Sequence, residues 1–212
     1  LFYRNDTRVL LSGIQKTLTL TFNNSDTKFF HLIVIATAPI IFAGLFLKST
    51  GLIYEIRSLK TIGYTMIIFG FILYLSDKYG KKNRFKDNWS YRDAFIMGLW
   101  QAIALIPGTS RSGNTISGGL ILGFSRECCV NLSLLMSIPT ILASSSLLLF
   151  DFIRTDFNDA NLSTLSLCSF LSFLTSLAAV NLLVRYVRTN NFTPFVVYRL
   201  ILGSSILYLV YN

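Results

Sequence analysis

The segment Pro107-Gly108-Thr109-Ser110-Arg111-Ser112-Gly113 is the one stretch of this chain whose residue types and spacing point to chemistry. The guanidinium of Arg111 matches two phosphate oxygens at once, which an ammonium cannot do. Ser110, Ser112 and Thr115 add hydroxyl donors around it. Gly108 and Gly113 permit tight turns and a close approach of ligand to backbone. Asn114, Thr115 and Ile116 are expected to form the first turn of a helix. Its free N–H groups and its dipole favour an anion. Gln101 either adds a hydrogen bond to the same cavity or ties two helices together. The chemistry that unites these groups is the binding of a phosphate.

The elements that must position this segment are unusual. Residues 94–106 and 116–124 are apolar but too short to span a bilayer, so they predict a re-entrant helical hairpin with 107–113 at its tip. Irregular backbone at that depth survives only against protein or a watery cavity. A charged residue at the bilayer centre costs about 2.5–3.5 kcal/mol on insertion scales, and an anionic ligand would offset it. The plainer alternative is a simple break between two helices, with Arg111 snorkelling to water.

The rest of the chain predicts a single membrane domain of 212 residues. It is 52% hydrophobic, only 14% charged, and has a mean hydropathy of +0.56, an apolar excess that fits lipid as solvent. Spans are expected at about 29–47, 61–75, 130–150, 165–184 and 195–211, with the hairpin at about 94–124. The result is an all-α polytopic membrane helix bundle. The net charge of +9 lies in short gaps between apolar runs, which argues for loops beside anionic lipid and against nucleic acid. The basic stretches 77–93 and 185–193 are expected on the cytoplasmic side and the acidic stretch 151–163 outside, while Lys48, Arg57 and Lys60 argue mildly the other way.

The remaining polar residues have two readings each. Arg199, inside the last apolar run, either snorkels or faces the bundle and meets an anion or a carbonyl. Arg126 and Glu127 read as a solvated interfacial pair, and His31 as an interfacial residue. Cys128, Cys129 and Cys168 read as small apolar residues in helices. There is no carboxylate cluster at depth for a metal, so the metal ligands predicted in this chain are none. No histidine lies near Ser110 or Ser112 to build a triad.

These residues resemble a known family. The stretch 94–119, carrying Gln101, Pro107-Gly108-Thr109-Ser110-Arg111-Ser112-Gly113 and Thr115, is similar to the second signature of bacterial undecaprenyl-diphosphate phosphatases, the bacitracin-resistance family. Phe192-Thr193-Pro194-Phe195 through Arg199 is similar to its C-terminal segment. The resemblance implies hydrolysis of undecaprenyl diphosphate to undecaprenyl phosphate and phosphate, which recycles the lipid carrier for peptidoglycan synthesis. It implies an inverted-repeat architecture, a homodimer, and a multi-pass location in the bacterial inner (plasma) membrane. It makes Arg111 and Ser110 the catalytic candidates. Ser112, Gly113, Thr115, Gly108 and Gln101 become the phosphate contacts. A Mg or Ca ion is implied as well, although the carboxylates that would bind it are not in this chain.

The family's first signature, an acidic pair followed by Leu-Pro-x-Ser-Ser-x-Gly-His, is also absent. The chain is therefore expected to be N-terminally truncated. Two alternatives stand beside the enzyme: a non-catalytic binder or transporter of lipid phosphates, and an inactive fragment. Arg111→Ala in the full-length protein is expected to abolish phosphate release from undecaprenyl diphosphate while leaving the fold intact. Arg111→Lys should also be poor, because a point charge cannot grip two oxygens. Phosphate release and far-UV circular dichroism of the same preparations check both.

Overall fold

Among the described residues, hydropathy and capping residues together dictate seven principal helices. In the computed structural model, which describes residues 8–9, 12–13, 15–17, 25–154 and 162–212, these are α1 (Ser25–Thr50), α2 (Leu59–Tyr79), α3 (Tyr91–Ile103), α4 (Arg111–Ile121), α5 (Arg126–Arg154), α6 (Leu162–Thr189) and α7 (Thr193–Tyr211). A short turn of helix, Leu52–Glu55, follows α1, and a 3₁₀ turn, Lys86–Asn88, precedes α3. No strand occurs among the described residues; Arg84 and Phe124 form one isolated bridge. Parts of the expected acidic loop 151–163 lie outside the described residues.

Among the described residues, five helices are long and apolar enough to cross a membrane: α1, α2, α5, α6 and α7. Each contains one of the apolar runs read from the sequence. The protein is an all-α polytopic membrane bundle. Its outward faces carry Phe42, Phe46, Leu142, Leu148, Phe170 and Leu209, all exposed, as expected where lipid replaces water. At 1.5 Å per residue α3 is about 20 Å long and α4 about 16 Å, against a hydrocarbon core of about 30 Å. These two half-length helices form the hairpin.

Close backbone approach, not bulky packing, joins the helices around it. Gly63 of α2 and Gly203 of α7 face each other: a side chain at Gly63 would meet Leu207 at 2.6 Å and the Gly203 carbonyl at 3.2 Å. Gly70 of α2 receives Arg199 of α7, whose Cβ would lie 3.4 Å from any added methyl. On the other flank Gly98 of α3 lies against Ala36 and Pro39 of α1, with the Ala36 carbonyl 2.5 Å from where a Cβ would stand. Small residues at crossings let dispersion and weak contacts act where no hydrophobic drive exists between helices in lipid. Gly118 packs on the Trp100 ring and Gly119 on the Cys129 sulfur, which closes α4 against α3 and α5.

Buried ion pairs fix the open end of the hairpin. Arg84 donates Nη2 to Asp93 Oδ2 at 2.6 Å and Nη1 to Oδ1 at 3.0 Å. It also reaches the carbonyls of Leu122 and Asn88 and lies 4.3 Å over the Phe124 ring. Asp93 closes a capping box with Ser90 at the start of α3. One residue thus ties the first turn of α3 to the last turn of α4. Beside it, Asp77 accepts from Arg126 Nε at 2.6 Å, from Lys82 Nζ and from the Phe192 amide at 3.0 Å. It joins the end of α2 to the starts of α5 and α7.

The pair expected at Arg126 and Glu127 is therefore corrected. Arg126 turns inward to Asp77, and Glu127 bonds Arg188 of α6 at 3.0 Å. The carboxylate buried at Asp77 outcompetes a neighbour one residue away, which on a helix points to a different face. The basic stretches 77–93 and 185–193 meet at this one end of the bundle.

The tip of the hairpin reaches deep along α2. Thr65 Oγ1 donates to the Pro107 carbonyl at 2.5 Å. Gly108 has φ 88°, and a Cβ there would stand 2.6 Å from the Ile62 carbonyl. Only glycine satisfies both demands.

Two outcomes follow. Gly108→Ala should destabilise the protein by at least about 1–3 kcal/mol through backbone strain alone, read as a fall in the detergent melting temperature. Asp93→Asn should cost about 1.5–3 kcal/mol at neutral pH, the scale of one hydrogen bond to a charged group, because Arg84 keeps half its partner. Burial raises the Asp93 carboxyl pKa, but the Arg84 and Ser90 hydrogen bonds outweigh that and leave it below its ordinary value. The stabilisation is thus present above the ordinary carboxylate range near about 4 and is lost as pH falls through the lowered value. The melting temperature of the wild type should fall as pH drops below about 4, and Asp93→Asn should lack that component of the fall.

Candidate functional site

The chain tightens before the turn. The amides of Ala104, Leu105, Ile106 and Thr109 each bond the carbonyl three residues back, so the end of α3 winds down in 3₁₀ fashion through Thr109. The Thr109 hydroxyl bonds the Ile106 carbonyl at 2.8 Å and is buried. Ser110 then caps α4. It holds φ 71°, ψ 116°, a conformation rare outside glycine, and its Oγ accepts the Gly113 amide at 3.2 Å. Strain of this kind persists where the surroundings over-determine it, and it clusters at ligand sites.

Helix α4 begins at Arg111, three residues earlier than the sequence reading placed its first turn. The Asn114 amide is taken by the Ser110 carbonyl and the Gly113 amide by the Ser110 hydroxyl. The amides that helix geometry leaves for a ligand are those of Arg111 and Ser112. Asn114, Thr115 and Ile116 lie one turn further in and are buried.

A cavity of about 500 Å³ opens against this helix start. Gly108, Ser110, Ser112 and Gly113 line its polar end, together with Arg199 of α7. Its other walls are apolar, from Met66 and Leu73 on α2 to Phe195 and Tyr198 on α7. The volume and the balance of one polar end to many apolar walls fit a site for an amphiphilic ligand.

Arg199 is the cation at this cavity. It is 9% exposed. Gly70 makes room for its stem, and Nη2 donates to the Gly108 carbonyl at 2.9 Å. Its Nη1 lies 3.6 Å from where a Cβ on Gly113 would be, so the guanidinium hangs directly over the start of α4. Its Nε is buried without a hydrogen-bond partner, and it forms no ion pair among the described residues. Of the two readings open from sequence, the inward one holds. Tyr198, its neighbour, lines the same cavity.

Arg111 lies on the opposite flank. Its half-buried side chain crosses to α5, where Nη1 bonds the Ser137 carbonyl at 3.3 Å. It is not among the residues lining the 500 Å³ cavity. Helical geometry explains this: Arg111 and Ser112, one residue apart, project about 100° from each other. The two guanidiniums therefore flank the same helix start from two sides.

Thr115 and Gln101 do not reach the cavity. Thr115 is fully buried; its hydroxyl bonds the Arg111 carbonyl at 2.7 Å and meets Ser133 Oγ at 3.0 Å. Gln101 is fully buried and donates to Thr140 at 2.9 Å, leaving its Oε1 without a partner. With Ser137 these make a polar seam between the hairpin and α5, at positions 133, 137 and 140 on one helix face. The interhelical reading of Gln101 is the one the packing supports.

The residues at the turn do not fit a divalent cation. They are arginines, hydroxyls and glycines, and no group of three His, Cys, Asp or Glu side chains comes together among the described residues. His31 sits on α1 beside the Phe30 ring, away from the cavity lining. Cys128 and Cys129 are buried free thiols, and Cys168 is exposed.

Comparison with known proteins shows the family. The family described as "Bacitracin resistance protein BacA" matches residues 1–205. An undecaprenyl-diphosphatase from Jannaschia sp. is 42% identical over 212 residues, covering 100% of this chain and 79% of the relative. One from Dinoroseobacter shibae is also 42% identical over the same 212 residues and the same shares. One from Ruegeria sp. is 40% identical, again over all of this chain and 79% of the relative. A match of this extent, on a chain whose polar turn caps a half-length helix inside an apolar bundle, leaves one assignment: the protein belongs to the bacitracin resistance protein BacA family.

Proposed function

We propose that this protein hydrolyses undecaprenyl diphosphate to undecaprenyl phosphate and inorganic phosphate. The observation that carries the reading is the start of α4. There a strained serine cap, two open amides and the buried Arg199 converge on a cavity that is otherwise apolar. An amphiphile with a highly charged head and a hydrocarbon tail fits such a cavity, and the relatives carry the name of an enzyme for that substrate.

The roles follow from charge and position. The terminal phosphate rests on the amides of Arg111 and Ser112, where the dipole of α4 favours negative charge. Ser112 and Ser110 orient its oxygens. Gly113 and Gly108 keep the backbone free of side chains that would block the approach. Arg199 stabilises charge from the α7 side and Arg111 from the α5 side. Water adds to the terminal phosphorus and passes a proton to a non-bridging oxygen of the phosphate being released, the bond to the bridging oxygen breaks, and the lipid monophosphate leaves with the electron pair. Charge spreads over the equatorial oxygens in that transition state, so fixed donors in a low-dielectric site supply most of the stabilisation. Thr115 and Gln101 act one layer out, by fixing the hairpin to α5. A divalent ion, the plasma membrane as location and a homodimer complete the proposal on the family's pattern; the ion's ligands would come from outside the turn.

Arg199→Ala should lower kcat for phosphate release by about 10²- to 10³-fold, the scale of losing one transition-state donor, and Arg199→Lys should recover little of it. Release of phosphate from undecaprenyl diphosphate by purified protein in nanodiscs checks this. Tight binding without any release, in a folded full-length protein, would place the chain with lipid-phosphate binders instead.

A further inference from the structure

The first turns of α4 have two unlike faces. Ser112 and Ile116, one turn apart, share the face that lines the 500 Å³ cavity. Arg111 and Thr115, also one turn apart, share the face turned to α5, where they meet the Ser137 carbonyl and the Ser133 hydroxyl. Among the described residues the cavity takes no wall from α5. Its apolar walls therefore stand on one side of the helix start: Met66 and Leu73 on α2, Ile116 on α4 and Phe195 on α7.

Arg199 rises from among those walls. Its Nη2 is held by the Gly108 carbonyl, while Nη1 makes no hydrogen bond among the described residues and hangs over Gly113. Arg111 leaves the walls behind and crosses to α5. One cation thus stands on the apolar side of the helix start and the other on the side without apolar walls. A lipid diphosphate has the same asymmetry. One of its phosphates is esterified to hydrocarbon, and the terminal one is not.

We propose that Arg199 seats the lipid-proximal phosphate, the one that stays on the lipid after hydrolysis, so that it acts on the leaving group, whereas Arg111 serves the terminal phosphate. The inference rests on the lipid-diphosphate reading above and fixes the direction in which the head lies. Burying the first carbons of the tail against Leu73, Ile116 and Phe195 is favourable in proportion to the apolar area covered. A single ester bond separates those carbons from the proximal phosphate, which must then lie beside Arg199. The terminal phosphate extends away from the walls, over the Arg111 and Ser112 amides. The reverse orientation would carry the tail to the α5 flank, which lends this cavity no wall. When the bond from the terminal phosphorus to the bridging oxygen breaks, the electron pair stays on that oxygen. Arg199 stands where this charge develops, and a fixed donor there stabilises the transition state.

The test measures equilibrium binding of three ligands to the full-length protein in nanodiscs: farnesyl monophosphate, farnesyl methylene-diphosphonate and uncharged farnesol. Arg199→Gln should weaken the monophosphate roughly tenfold or more, the scale of one hydrogen bond to a charged group, and leave farnesol within about twofold. Arg111→Gln should leave the monophosphate within about twofold and weaken the diphosphonate roughly tenfold. Should Arg199→Gln lose the wild-type melting temperature, Arg199→Lys, which keeps a donor for the Gly108 carbonyl, should show the same ligand contrast at smaller size. Monophosphate binding that depends on Arg111 and not on Arg199 would reverse the head and overturn the inference, while the functional reading survives. Farnesol binding that falls in step with the monophosphate in the Arg199 variants would make Arg199 a strut alone and overturn it as well. A wild-type protein that binds none of the three ligands would overturn the inference and the functional reading together.

Discussion

Everything in this structure answers to one requirement: a polar turn carrying the start of a helix must be held within an apolar bundle. Backbone amides that open toward lipid would be ruinous, so the turn has to face a cavity and be braced on every other side. The bracing comes from α2, where Thr65 takes the Pro107 carbonyl, and from α7, where Arg199 takes that of Gly108. Both partners depend on small residues. Gly108 lets the turn lie on Ile62, and Gly70 lets the stem of Arg199 lie on α2. Arg199 is thus a strut and an open cation at once, because one donor holds the turn while Nε has no partner.

The far end of the hairpin is secured by charge and not by shape. Arg84 spans α3 and α4, and Asp77 gathers α2, α5 and α7. A buried ion pair adds little net stability over an apolar packing, but removing one partner is expensive. Such pairs therefore act here mainly as registers that set which helix ends meet. Their position among the basic loops also keeps them near the interface, where desolvation is smaller. The deep part of the hairpin has no ion pair among the described residues and relies on glycine contacts and hydrogen bonds.

Much of this was legible in the sequence, and the parts that were not share a cause. Apolar length and Pro-Gly punctuation marked the five spans and the two short helices, because those signals are local. The Ser-Arg-Ser turn was legible for the same reason. The facing of individual side chains was not. Arg111 was expected at the cavity and Arg199 was left between two readings, yet Arg111 crosses to Ser137 and Arg199 overhangs Gly113. The difference lies in Gly70, over a hundred residues from Arg199 in sequence and in contact only after α2 and α7 pack. Thr115 fell on the buried face because α4 starts at Arg111 and not at Asn114. Asp77 read as the edge of a basic loop, although it is buried at the meeting of three helices.

The central claim is that a diphosphate head rests on the first turn of α4 between two arginines. The most direct measurement is an experimental structure of the protein with a farnesyl methylene-diphosphonate, which cannot be hydrolysed at its bridge. The account predicts phosphonate oxygens within hydrogen-bond reach of the Arg199 guanidinium, the Ser112 hydroxyl and the Arg111 and Ser112 amides, with the prenyl chain along Leu73 and Ile116. Phosphonate seated instead among the basic residues 78–86, with the start of α4 untouched, would contradict it.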